Sequence, residues 1–223
     1  MKKISKLAPI LLAGALLFSG CAENPADNVP AATVSSTPAA AATPTSTETP
    51  GEEAQATPVE GTIYAFSNGT EVGFVGSKIT GSHEGGFKKV DGSVTVPAEQ
   101  LEKAVVDLTV DMASVYSDAE KLTGHLKSED FFDVANNPTA TFKSTSITKT
   151  DAGYDVTGNL TLRGTTNAIT FPAEISVEGD TVKTKAEFSI NRKDFNIVYK
   201  GKPDDLIRDE VVIKFDITAT KQA

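Results

Sequence analysis

Tyr154-Asp155-Val156-Thr157-Gly158-Asn159-Leu160-Thr161-Leu162 places apolar side chains on one face and polar ones on the other. That period of two marks a β-strand with one dry and one wet side. The pattern recurs to either side. Val106, Leu108, Val110 and Met112 alternate with Asp107, Thr109 and Asp111. Ile169, Phe171, Ala173, Ile175 and Val177 share a face, and Val182, Ala186, Phe188 and Ile190 oppose Lys183, Lys185, Glu187 and Asn191. Val211, Ile213, Phe215 and Ile217 do the same against Val212, Lys214, Asp216 and Thr218. Turn residues separate the runs at Asp91-Gly92, Asp151-Ala152-Gly153 and Glu178-Gly179-Asp180. About eight strands are expected, near 62–67, 70–80, 86–96, 104–112, 139–149, 153–163, 167–178 and 181–191, with 210–220 as a candidate ninth. An open meander of that length would expose its edges, and closure removes them. The expected fold class is all-β, a closed antiparallel eight-stranded barrel with one short helical insertion.

The insertion is read from Ser117-Asp118-Ala119-Glu120, a capping-box pattern followed by Leu122 and Leu126 at helical spacing. A second short turn is expected to hold Phe131 and Phe132, the whole insertion closing one barrel end or packing on its flank.

Bulk properties exclude several functions. The chain of 223 residues carries a net charge of −9. Without the three lysines and five acids of residues 1–58, the remainder has 18 basic and 25 acidic residues. An acidic domain repels phosphate backbones, so no nucleic acid partner is expected. The lone cysteine, Cys21, lies outside the patterned region, and His83 and His125 are the only histidines. No cofactor and no metal are expected, and no motif positions a nucleophile beside a base. The chain is not expected to be an enzyme.

The first 58 residues do not read as part of the fold. Lys2, Lys3 and Lys6 precede an apolar run from Leu7 to Phe18. Its 12 residues fall short of the roughly 20 that span a bilayer. Residues 1–20 read as a signal peptide. They end in Leu17-Phe18-Ser19-Gly20-Cys21, which resembles the bacterial lipobox with Phe18 in place of the usual leucine. The resemblance implies lipidation of Cys21 and a membrane anchor; with Ala22 next, it implies the outer membrane facing the periplasm in a Gram-negative cell. Residues 21–58, rich in Ala, Thr, Pro, Ser and Glu, read as a disordered, lipid-anchored linker. The domain proper is expected over 59–223.

Two runs carry a further resemblance. One is Leu126-Lys127-Ser128-Glu129-Asp130-Phe131-Phe132-Asp133, followed by Asn137-Pro138-Thr139-Ala140-Thr141-Phe142; the other is Gly158-Asn159-Leu160-Thr161-Leu162-Arg163-Gly164-Thr165-Thr166. In this order they resemble the YceI-like family of bacterial envelope proteins over about residues 62–220. A weaker match is Asn191-Arg192-Lys193-Asp194-Phe195-Asn196-Ile197, with Asn196 where the family usually has glycine. The resemblance implies a lipocalin-like barrel holding an isoprenoid or fatty chain. Alternation alone leaves open whether the interior is a tunnel or a solid core.

The expected ligand-facing set is Phe74, Val106, Leu108, Val110, Phe142, Leu160, Leu162, Phe171, Ile175, Phe188, Ile190, Ile213 and Phe215. His83 and Arg192 are candidate head-group contacts. Arg163, of opposite parity to Leu160 and Leu162, is expected to point outward, pair with acids and organise the Gly164 turn. The reading is an envelope lipoprotein that carries, stores or sequesters a long-chain amphiphile. Its rival is a solid barrel whose surface meets an envelope partner.

Overall fold

The computed structural model describes residues 22–39 and 60–222 apart from Asp204. The expected signal peptide, Cys21 and residues 40–58 of the expected linker lie outside this set. The strands are β1 (Thr33–Ser35), β2 (Thr62–Phe66), β3 (Val72–Lys78), β4 (Gly81–Phe87), β5 (Val90–Val96), β6 (Val105–Asp111) and β7 (Val115–Ser117). After the helix α1 (Glu120–Leu126) come β8 (Thr139–Thr150), β9 (Gly153–Leu162), β10 (Thr165–Glu178), β11 (Thr181–Asn191), β12 (Gly201–Lys202) and β13 (Asp205–Lys221).

These segments close into an antiparallel barrel of 8 staves. Three staves are composite: β3 pairs β4 while β2 pairs β5, and β4 pairs β7 while β5 pairs β6. Thus β2 and β3 lie end to end, as do β4 with β5 and β6 with β7. The ring continues through β8, β9, β10 and β11, and β13 closes it. One edge of β13 follows β11, pairing Phe215 with Ala186. Its other edge pairs Phe215 with Val72 and Ala219 with Phe66. The candidate ninth strand is therefore the closing eighth stave, because the runs at 62–67 and 70–80 are halves of one stave. The strand expected over 86–96 also extends back to Gly81.

The helix begins two residues later than the capping box implies. Its N-cap is Ala119, which offers no side-chain oxygen. Ser117 ends β7 instead; its amide donates to Thr123 Oγ1 at 2.9 Å and its hydroxyl bonds Ala119 O at 2.8 Å. Pairing of Ser117 with Gly85 holds it extended, which overrides the local capping preference.

The largest departure from expectation is at the N-terminus. Residues 22–39 lie on the barrel rather than forming a free linker. β10 pairs β11 directly only over Glu174–Glu178, and β1 continues along the rest of the seam. Val34 stands opposite Ile169, and Ala31 forms a parallel bridge to Ser189. Ala32 donates to Ser189 O at 2.8 Å, and Ser189 donates to Pro30 O at 2.9 Å. Asn159 then accepts from Ala39 N at 2.7 Å and donates to Ala39 O at 3.0 Å. Ala32 and Val34 pack on the core. The physical reason is that β10 and β11 offer unpaired backbone edges between them, and those edges bind a short extended segment regardless of its polar composition.

Hydrogen exchange on the 22–223 chain is expected to show slow amides at Ala32 and Ala39, with Asn159→Ala selectively accelerating Ala39. Exchange of both at the free-peptide rate would contradict a docked N-terminal segment.

Candidate functional site

The inward faces of the staves surround a cavity of about 230 Å³. All thirteen side chains expected to face a ligand line it. Of the lining residues only Thr184 and Arg192 carry polar side chains. Such a space offers water too few partners and favours apolar occupants.

Aromatic side chains divide the interior into two layers. In one, Phe171 stacks on Phe188 at 4.2 Å between centroids, with Phe142 at 5.6 Å and Phe215 at 6.1 Å from Phe171. In the other, Phe74, Phe87 and Phe132 contact one another at 5.5 to 6.4 Å. Glycines on the wall admit these rings: a Cβ on Gly85 would lie 2.5 Å from Phe74 Cζ, and one on Gly158 would lie 2.4 Å from Phe142 Cζ. Gly76 differs, since a Cβ there would meet nothing within 4 Å. It borders open cavity.

Of the two placements that the sequence leaves open for the insertion, the structure shows the one at a barrel end. Leu126, Phe131 and Phe132 from the insertion, with Ile197 from the loop after β11, line the cavity floor. His125 joins these segments by packing edge-on at 4.9 Å against both Phe131 and Tyr199. Arg163 ties them as well. It donates to Asn196 O and Glu129 O, so its partners are carbonyls rather than the expected acids. With Gly164 it forms a left-handed pair (φ 49° and 71°) joining β9 to β10, the geometry a two-residue hairpin needs. Asn196 has φ 58°, a left-handed conformation that Asn tolerates, and its side-chain amide donates to Thr165 Oγ1 at 2.8 Å.

Arg192 is not a solvated loop charge. It is 4% exposed and lines the cavity floor. Its Nε donates to Arg208 O at 3.0 Å, its Nη1 to Ile197 O, and its Nη2 to Ile207 O and to Asp209 at 3.2 Å. Burial pushes the guanidinium below its usual range, opposed by Asp209 and Glu210. Lys193 shares Asp209 at 2.6 Å. The side chain thus pins the loop between β11 and β13 onto the barrel.

His83 stands opposite Gly76 on β4 but does not line the cavity. Its Nδ1 lies 2.9 Å from Asp118, and His125 Nε2 lies 2.8 Å from Asp130. Each histidine therefore has a carboxylate that sequence spacing did not reveal. Both pairs are partly exposed, and none of the four residues lines the cavity. Among the described residues no group of three or more His, Cys, Asp or Glu side chains could hold a metal.

Several lining residues were missed in the sequence. Phe66, Val72 and Phe87 follow the same alternation and were within reach of it. Ile197 and Ile207 sit in irregular or bulged stretches and carry no periodic signal.

Comparison with known proteins gives consistent matches. A model of the YceI-like domain matches residues 64–219. Proteins named YceI from Salmonella arizonae and Salmonella newport are each 38% identical over 119 residues. That alignment covers 51% of this chain and 62% of each relative, so less than two thirds of their length is spanned. The crystal structure of Burkholderia cenocepacia BcnA superposes with a TM-score of 0.62 at 29% identity, covering 68% of this chain and 96% of that one. A polyisoprenoid binding domain from Saccharophagus degradans superposes at 0.59 with 16% identity, covering 71% and 98%, a likeness of fold alone.

Replacing Arg192 by Met removes the guanidinium that serves three carbonyls, and leaves Asp209 with Lys193 as its one remaining cation. Urea unfolding should show a loss of about 2–4 kcal/mol. A change below about 0.5 kcal/mol, within the range of ordinary surface substitutions, would contradict the pinning role.

Proposed function

The chain belongs to the YceI-like domain family, and on that premise we propose that its barrel holds one long apolar chain, of isoprenoid or fatty type, within the central cavity. The carrying observation is a cavity of about 230 Å³ whose lining is almost wholly apolar. At about 24 cal/mol per Å³, an unfilled space of that size forfeits on the order of 5 kcal/mol. A chain entering it recovers that loss at about 0.8 kcal/mol per buried methylene. The volume lies just below the ~300–1,000 Å³ of drug-sized pockets, which favours a slim chain over a ring system. The Saccharophagus degradans domain of the same fold is a polyisoprenoid binding domain; the prenyl reading for this chain rests on that fold likeness together with the cavity.

The export and lipobox signals at residues 1–21 support a bacterial envelope lipoprotein acylated on Cys21, at the outer membrane if the cell is Gram-negative. Such a protein would carry or sequester an amphiphile beside the membrane. The rival reading, a barrel acting only through its outer surface, requires a filled core and is disfavoured by the cavity.

Native mass spectrometry without detergent should show one-to-one uptake of geranylgeraniol or palmitic acid. Gly76→Phe adds a side chain into open cavity space and is expected to abolish uptake while the barrel still melts cooperatively. Failure of the unaltered protein to take up either lipid, or undiminished uptake by the folded variant, would overturn the proposal.

A further inference from the structure

Five large apolar side chains are notably exposed among the described residues: Ile63, Ile79, Val177, Val198 and Leu206. Three of them gather at one end of the barrel. Ile79, in the β3–β4 turn, donates its amide to Leu206 O at 3.2 Å. Leu206 pairs with Gly201 across the β12–β13 turn, and Val198 lies just before that turn. Ile79 is 38% exposed, Leu206 43% and Val198 58%. Ile63 and Val177 lie toward the opposite end, near the β13 terminus and the β10–β11 turn. Along β13 the two ends are ~50 Å apart at ~3.3 Å per residue.

The described N-terminal segment starts at this same patch. Ala22 donates to Ile79 O at 3.2 Å. Arg208 grips it from the other side, donating to Ala22 O at 2.7 Å and to Glu23 O at 3.5 Å. Asn24 accepts from Ser77 at 3.4 Å. The residue after Cys21 is thus fixed to the wall beside Ile79, with no slack between it and the barrel. The cavity lining includes Ile197 and Ile207, the chain neighbours of Val198 and Leu206. Lys200 and Lys202, both exposed, flank the patch, and Lys78 and Lys193 are held by Asp205 and Asp209.

We propose that the face formed by Ile79, Val198 and Leu206 rests on the bilayer surface, so that the floor end of the cavity is held at the membrane instead of the barrel hanging on a long tether. This rests on the lipoprotein reading. The occupant is a bilayer because acyl chains on Cys21 would emerge one residue from Ala22, directly beside the patch. No described helix is long and apolar enough to cross a membrane. Exposed lysines at its rim suit anionic head groups, and apolar side chains at its centre suit the interfacial region.

The test uses the full acylated protein in phosphatidylethanolamine–phosphatidylglycerol vesicles. Acylation consumes the only native thiol, so Ile79→Cys, Leu206→Cys and Val177→Cys can each be labelled singly with bimane. Intact mass first establishes the acyl groups. Labels at 79 and 206 should be quenched by head-group-proximal nitroxide lipid at least threefold more than the label at 177. Acylated, vesicle-bound protein with equal, water-like quenching at all three positions overturns the docking proposal alone. Intact mass showing a free Cys21 overturns the lipoprotein reading and the docking proposal with it.

Discussion

Closure of the sheet on β13 is the constraint from which the rest follows. Of its 17 residues, Asp205–Lys221, those from Glu210 to Thr220 pair with β11 on one edge, and β3 and β2 pair with successive parts of the other. The same backbone that completes β11 on one edge completes β2 and β3 on the other. Once the ring is closed, every stave turns one face toward a shared axis. Period-two alternation then delivers apolar side chains to that axis from all directions at once. The interior could be apolar and solid, but the aromatic rings lie partly over wall glycines, at Gly85 and Gly158, and leave space along the axis.

The two ends of the barrel are finished differently. Toward the β10–β11 turn the walls are long, regular hairpins. At the floor, the chain spends an inserted helix, two phenylalanines and the loop after β11 on covering the opening. These irregular segments cannot be held by sheet pairing, so polar side chains hold them. Arg163 and Arg192 both spend guanidinium donors on backbone carbonyls of the covering segments. Sealing an apolar space thus depends on two cations placed in the walls beside it. This accounts for arginines within runs that otherwise read as strand and turn.

The barrel and its lining were legible in the sequence because they rest on a local, repeated signal. Alternation places all thirteen inward side chains on the cavity without knowledge of partners. What could not be read depends on distant pairing. Pro30–Ser35 looks like linker by composition, yet it docks because β10 and β11 diverge about 135–160 residues later and expose backbone between them. Arg192 sits in a charged loop and becomes buried only through Arg208, Ile207 and Asp209 on β13. The capping box at Ser117 has the right residues, but pairing with Gly85 keeps Ser117 extended. The carboxylates beside His83 and His125 come from the insertion, where no periodicity tells which side chains meet.

On the proposed function, the apolar space along the axis is built to be filled by a hydrocarbon chain. Its most direct test is organic extraction of the protein purified from its own cells without detergent, with quantitation of the extract by mass spectrometry. Near-stoichiometric recovery of one class of long-chain amphiphile is the predicted result. Protein that yields no lipid, and whose crystal structure shows the Phe74 and Phe171 layers collapsed into a filled core, would contradict it.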